Sequence, residues 1–123
     1  MNKLLALGVV ACLVARPAFA DSVYTVSGPL TLVSLDVAIV TTGGAAVVAL
    51  AAGHRNKGGW LHNPAVATVN LCINEIGTAT GTTSAGNTTC IVPGQTYRLA
   101  ANPGAVSVVA SDAAHAFSGY GWN

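Results

Sequence analysis

The sequence predicts an all-β protein: a single antiparallel β-sandwich or small barrel of about eight short strands, with one disulfide. Three observations carry that reading. Clusters of Gly, Pro and Asn punctuate the chain at short intervals, as turns do between brief strands. The segments between them are rich in β-branched residues, and several alternate with a period of two. No stretch after the leader has the length and periodicity of a long helix.

The leader is residues 1–20, read as a secretory signal peptide. Met1-Asn2-Lys3 is a short basic start, Leu4 to Val14 an apolar run, and Ala18-Phe19-Ala20 a small-residue cleavage site before Asp21. The run is shorter than the about 20 apolar residues that span a bilayer. Arg16 and Pro17 weigh against the alternative of an N-terminal anchor. Val10-Ala11-Cys12 looks only partly like a lipoprotein box, because apolar residues continue after it. The remaining chain, residues 21–123, is one domain's length.

That domain opens with a β-prone segment, Val23 to Val26, closed by the turn cluster Ser27-Gly28-Pro29. Leu30 to Thr42 reads as one strand, with Leu35, Val37 and Ile39 on one face and Ser34, Asp36 and Ala38 on the other. Gly43-Gly44 ends it. Ala45 to Ala52 is alanine-rich, which favours helix, but it is short and carries Val47-Val48; we read a strand. Gly53 to Gly59 is a polar, basic, Gly-bounded loop that should turn a hairpin into Trp60 to Asn63. After Asn63-Pro64, Thr68 to Asn74 alternates most clearly: Val69, Leu71 and Ile73 against Asn70, Cys72 and Asn74. Gly77 to Thr89 has no large apolar residue and reads as a surface loop or weak hairpin under the disulfide. Cys90 to Val92, Gln95 to Ala100, Ala105 to Ser111 and Ala116 to Trp122 are the remaining strands, separated by Pro93-Gly94 and Asn102-Pro103-Gly104.

Cleavage would remove Cys12 and leave Cys72 and Cys90, an even pair that reads as a disulfide in an exported chain. For a loop of this size the chain-entropy model gives about 3 kcal/mol. A metal or redox role lacks a C-x-x-C or a nearby histidine.

The composition narrows the function classes. Arg55, Lys57 and Arg98 face Asp21, Asp36, Glu75 and Asp112 in the mature chain. Nothing here forms the basic field that nucleic acid or anionic lipid requires, and no membrane contact is expected once the leader is gone. So sparse a charge leaves a surface of small polar residues that tolerates packing against other copies or other proteins. Catalysis finds little support: no G-x-S-x-G is present, and the acids are not paired at glycosidase spacing. His54, His62 and His115 could supply a zinc site if the fold gathered them, His54 and His62 across a hairpin. The blander reading puts His54 in a loop, His62 beside Trp60 and His115 at a strand edge. The Gly53 to Gly59 loop is also a weak anion-binding candidate, although no P-loop pattern accompanies it. We expect no cofactor and no metal. Among the aromatic residues, Trp60 and Phe117 read as core. Tyr120 and Trp122, with Tyr97, are the candidate contact surface, because exposed Trp and Tyr equip protein interfaces and sugar-binding faces.

From Gly43 onward the order of signals resembles small β-rich accessory or decoration proteins of tailed phages and prophages. The likeness runs through Gly43-Gly44, Ala46 to Ala52, the basic turn Arg55 to Gly58, Asn63-Pro64, Leu71 to Asn74 and Gly77 to Thr80. It continues through Pro93-Gly94, Tyr97, Gly104 to Val108 and Phe117. It covers about two thirds of the chain and rests on turn and strand signals. It implies a non-enzymatic contact role and carries over no catalytic residue. The leader and the cysteine pair depart from a virion protein assembled in the cytoplasm. They indicate an exported bacterial protein sharing the fold, or a phage module that gained a leader. The expectation is therefore an exported, periplasmic or extracellular, non-catalytic module. It would act by β-edge or face packing with itself or a protein partner, or alternatively as a small carbohydrate-binding or adhesive domain.

Overall fold

The computed structural model describes residues 28–81 and 86–123. The leader, the Val23 to Val26 segment with Tyr24, and residues 82–85 of the loop before Cys90 lie outside the described residues. Ten strands form in the described chain: β1 (Leu32–Ser34), β2 (Ile39–Val40), β3 (Val47–Leu50), β4 (Gly59–His62), β5 (Leu71–Asn74), β6 (Thr88–Ile91), β7 (Thr96–Leu99), β8 (Val106–Ala110), β9 (His115–Ala116) and β10 (Ser118–Trp122). They build two four-stranded antiparallel sheets and a two-stranded bridge. The first sheet has the order β1-β10-β4-β7, the second β3-β8-β5-β6, and β2 pairs β9 between them in sequence. Neither sheet closes on itself, so of the two architectures expected, the sandwich-like one forms and the barrel does not.

Alternation supplies the core. Leu61 and Leu99 from the first sheet meet Leu50, Leu71, Ile73, Ile91, Val106, Val108 and Ala110 from the second in one buried cluster, with Val40 and Phe117 from the connecting segment. Phe117 is core, as expected. Cys72 and Cys90 sit directly opposite each other on β5 and β6 and are disulfide-bonded, their Cα atoms 3.9 Å apart. They point away from the main core into a second small cluster with Val109 and Ala79. The segment after β5 therefore folds back over the outer face of the second sheet. Asn74 Nδ2 donates to the Thr78 carbonyl, and the Ala79 amide donates to Ser107 Oγ at 3.0 Å. Gly77 to Thr80 carry no large side chain, which lets them lie against that face.

Three sequence readings change. Leu30 to Thr42 is two strands, not one. Between them the Asp36 amide donates to the Ala49 carbonyl, while its carboxylate accepts from the Ala51 amide at 2.6 Å and contacts His54 Nδ1 at 2.9 Å. The face assignment there also inverts. Val40 is fully buried whereas Val37 and Ile39 are exposed, because the bend at Asp36 resets the alternation. The Gly53 to Gly59 loop does not turn a hairpin: it carries the chain from β3 in one sheet to β4 in the other. Ala116 to Trp122 divides at Phe117, whose amide donates to the Ala38 carbonyl as its ring enters the core.

Candidate binding face

The outer face of the first sheet follows from the parity of β4 and β10. In β4, Gly59 and Leu61 are buried, so Trp60 and His62 face outward. In β10, Ser118-Gly119-Tyr120-Gly121-Trp122 places its glycines inward and its aromatic residues outward. The inward glycines are required by close approach. A Cβ at Gly121 would strike the His54 carbonyl, and one at Gly119 the Trp60 carbonyl. This glycine floor seats the 53–58 loop beneath the strand, and the aromatic side chains are left on the opposite surface.

Register then brings them together. Tyr120 pairs with Trp60, Trp60 with Arg98, Ser118 with His62, and His62 with Thr96. The Trp60 and Tyr120 rings meet edge to face at 4.8 Å, and Tyr120 meets Trp122 the same way at 5.4 Å. The Arg98 guanidinium lies 5.9 Å over the Trp122 ring. His62 Nδ1 hydrogen-bonds Thr96 Oγ1 at 2.9 Å. Leu32 on the edge strand β1 extends the apolar surface opposite Trp122 and is 65% exposed. A shallow groove runs along this face between Trp60, Trp122, Arg98, His62 and Thr96.

Of the sequence candidates, the structure brings Tyr120 and Trp122 onto this face and places Tyr97 elsewhere. Tyr97 has the inward parity of β7, packs against the core, and donates its hydroxyl to Glu75 Oε1 at 2.9 Å. Burial pushes the Tyr97 pKa above its ordinary value, and the neighbouring Glu75 carboxylate acts in the same direction. Trp60, read from sequence as core, takes the place beside Tyr120 instead. The signal was present in the period-two pattern Gly-Trp-Leu-His, in which a buried Leu61 forces its neighbours outward.

The histidines and the basic loop resolve into structural roles. His54 pairs with Asp36, His62 with Thr96, and His115 with Asp112 at 2.9 Å and Asn63 Oδ1 at 3.0 Å. His54 and His62 do not face each other across a hairpin. His115 is buried rather than edge-exposed, and both its ring nitrogens are occupied. Asn63, also buried, donates its amide to the Val69 and Ile91 carbonyls, so the chain Asp112–His115–Asn63 ties β9 to the segment before β5 and to the end of β6. Among the described residues no group of three or more His, Cys, Asp or Glu side chains could hold a metal ion.

Arg55 is the feature that sequence reading missed. It stands in the basic loop that was a candidate anion site, yet it is fully buried. Its guanidinium donates to the carbonyls of Gly104, Ala100 and Glu75 and forms an ion pair with the Glu75 carboxylate. Glu75 also accepts from the Ala100 amide at 2.9 Å. Committed inward, Arg55 is not available to an external anion.

No family model, curated protein or solved structure matches the chain. The Cys72–Cys90 bond suits an oxidising environment of the kind exported proteins meet.

Proposed function

We propose that this protein is an exported, non-catalytic interaction module that contacts its partner through the outer face of the β1-β10-β4-β7 sheet. The single observation that carries the reading is the half-buried row Trp60, Tyr120 and Trp122, held on the outward face by strand register. Large aromatic rings left on a solvent-facing sheet supply contact area at low entropic cost. The face is favoured over the sheet edges. The edge strands β1, β3, β6 and β7 are three or four residues long, and short edges pair poorly with added strands. Asp36 additionally occupies the outer side of β3 through its bonds to Ala49 and Ala51. The leader pattern and the disulfide support export, and the likeness to phage accessory modules supports a contact role without chemistry.

The test is retention of host cell-envelope material on the immobilised mature protein, compared with a Trp60→Ser/Trp122→Ser variant. Circular dichroism and intact mass verify that the variant is folded and oxidised. Retention should fall at least about tenfold, as loss of buried aromatic anchors costs about 2 kcal/mol or more. Equal retention by the two proteins would remove the face from consideration.

A further inference from the structure

We infer that the occupant of this face is an acidic saccharide, a chain of sugars bearing carboxylates. This rests on the reading of the face given above and specifies its ligand. The charge distribution points to it. Each described acid is already committed: Asp36 to His54, Glu75 to Arg55 and Asp112 to His115. Arg55 is spent internally and the Lys57 ammonium donates to the Pro29 carbonyl. Arg98 alone among the described cations makes no ion pair or hydrogen bond to another described residue. It is exposed and is held over Trp122 at the rim of the aromatic row. Lys57 and Glu75 line a groove beside Arg98 and Trp122, but Glu75 is held by Arg55, Tyr97 and the Ala100 amide, so among the described residues the face presents apolar rings and cations that no acid pairs.

That pairing selects the ligand. A second copy of the chain, docked face to face, would bring the same patch and therefore a second Arg98, while the nearby Glu75 carboxylate is already taken by Arg55, Tyr97 and the Ala100 amide. A saccharide ring lays its apolar C–H face on an indole and keeps its hydroxyl groups at the edge. The face offers polar partners for those hydroxyls at His62, Thr96, Ser34 and Ser118 around the rings. A carboxylate on the sugar would take the free guanidinium fork of Arg98, whose planar donors match it in a bidentate pair. The groove is open and shallow, which suits sugars stacked along a surface better than the desolvated pocket in which a protein anchor residue is buried.

The experiment titrates the mature, oxidised protein with oligosaccharides of galacturonate, of mannuronate and of a glucuronate-containing repeat. The methyl esters of the same oligosaccharides are the uncharged controls. Tryptophan fluorescence and amide NMR shifts report binding, and envelope retention is measured in parallel on the same variants. The expected result is binding of at least one acid form, weakened by salt and centred on β4, β7 and β10. Arg98→Gln should weaken it about tenfold or more, with the ester form binding wild type and Arg98→Gln alike and weakly. Equal binding of acid and ester would overturn the acidic class. No binding of any oligosaccharide, with envelope retention still dependent on Trp60 and Trp122, would overturn the saccharide and leave the face reading standing with a protein partner. No binding, with retention unaffected by those tryptophans, would overturn both.

Discussion

Replacing Glu75 by glutamine tests how the sandwich is held together beneath the binding face. The two carboxylate oxygens receive three hydrogen bonds besides their charge pairing: Oε2 from Arg55 Nη1 and the Ala100 amide, Oε1 from the Tyr97 hydroxyl. Glutamine keeps the shape but offers one acceptor oxygen, and it leaves the Arg55 charge uncompensated at 0% exposure. Breaking one side of a buried ion pair costs about 3–5 kcal/mol. Because the Glu75 side chain is 17% exposed, water softens the loss and the lower end applies, about 3 kcal/mol. Against a total of about 5–15 kcal/mol this is a large fraction. In urea, with a slope of about 1.5 kcal/mol/M for a domain of this size, the midpoint should fall by about 2 M. The assay is equilibrium unfolding of the oxidised protein, followed by tryptophan fluorescence and circular dichroism together. The Arg55→Met/Glu75→Leu double variant should not recover the loss. Arg55 also satisfies the Gly104, Ala100 and Glu75 carbonyls, and an apolar pair leaves them without donors. A Glu75→Gln loss under about 1 kcal/mol, typical of a surface pair, or a double variant as stable as wild type, would refute this account of the buried arginine.

Other outcomes follow from the same geometry. The raised Tyr97 pKa means the folded state holds that proton more tightly than the unfolded chain. Its stabilising contribution is therefore complete below the ordinary tyrosine value and lost as pH climbs through the raised one. Ultraviolet phenolate titration of the folded protein should show one late-titrating tyrosine, absent in Tyr97→Phe, and the variant should lose less stability than wild type over that alkaline range. Gly121→Ala should destabilise by about 2–3 kcal/mol or prevent folding, because its methyl would meet the His54 carbonyl rather than a flexible side chain. An alanine there with an unchanged melting temperature would contradict the close packing of the 53–58 loop. Reducing Cys72–Cys90 should lower stability by about 3 kcal/mol without altering the register of β5 on β8, readable as unchanged amide NMR shifts on β8.

How much of this was legible in the sequence depended on whether the deciding contact was local. Thr68 to Asn74 alternates visibly, and the structure buries Leu71 and Ile73 in the main core while Cys72 faces the other way. The pairing of Cys72 with Cys90 and the sandwich-like class came from counting and punctuation alone. The break in Leu30 to Thr42 was not visible, because Asp36 is fixed by Ala49, Ala51 and His54, partners more than a dozen residues away. Arg55 looked like a surface charge for the same reason: its carboxylate partner is Glu75 and its carbonyl partners lie at residues 75, 100 and 104. Half of the binding face was readable. Tyr120 and Trp122 stood out as aromatic residues in a glycine-rich strand. Joining Trp60 to them required the β10–β4 register, which pairs residues sixty positions apart. Tyr97 was drawn into the candidate surface by its residue type, whereas its parity on β7 and its bond to Glu75 turn it inward.

The most direct measurement of the central claim is hydroxyl-radical footprinting of the oxidised protein, free and bound to envelope material from its host. If the outer face of the first sheet is the contact surface, Trp60, Tyr120 and Trp122 become protected on binding. Val66 and Ile76, exposed but not part of that face, stay labelled as in the free protein. Protection confined to β6 or β3, with the three aromatic residues labelled equally in both states, would contradict the claim and return the contact to a sheet edge.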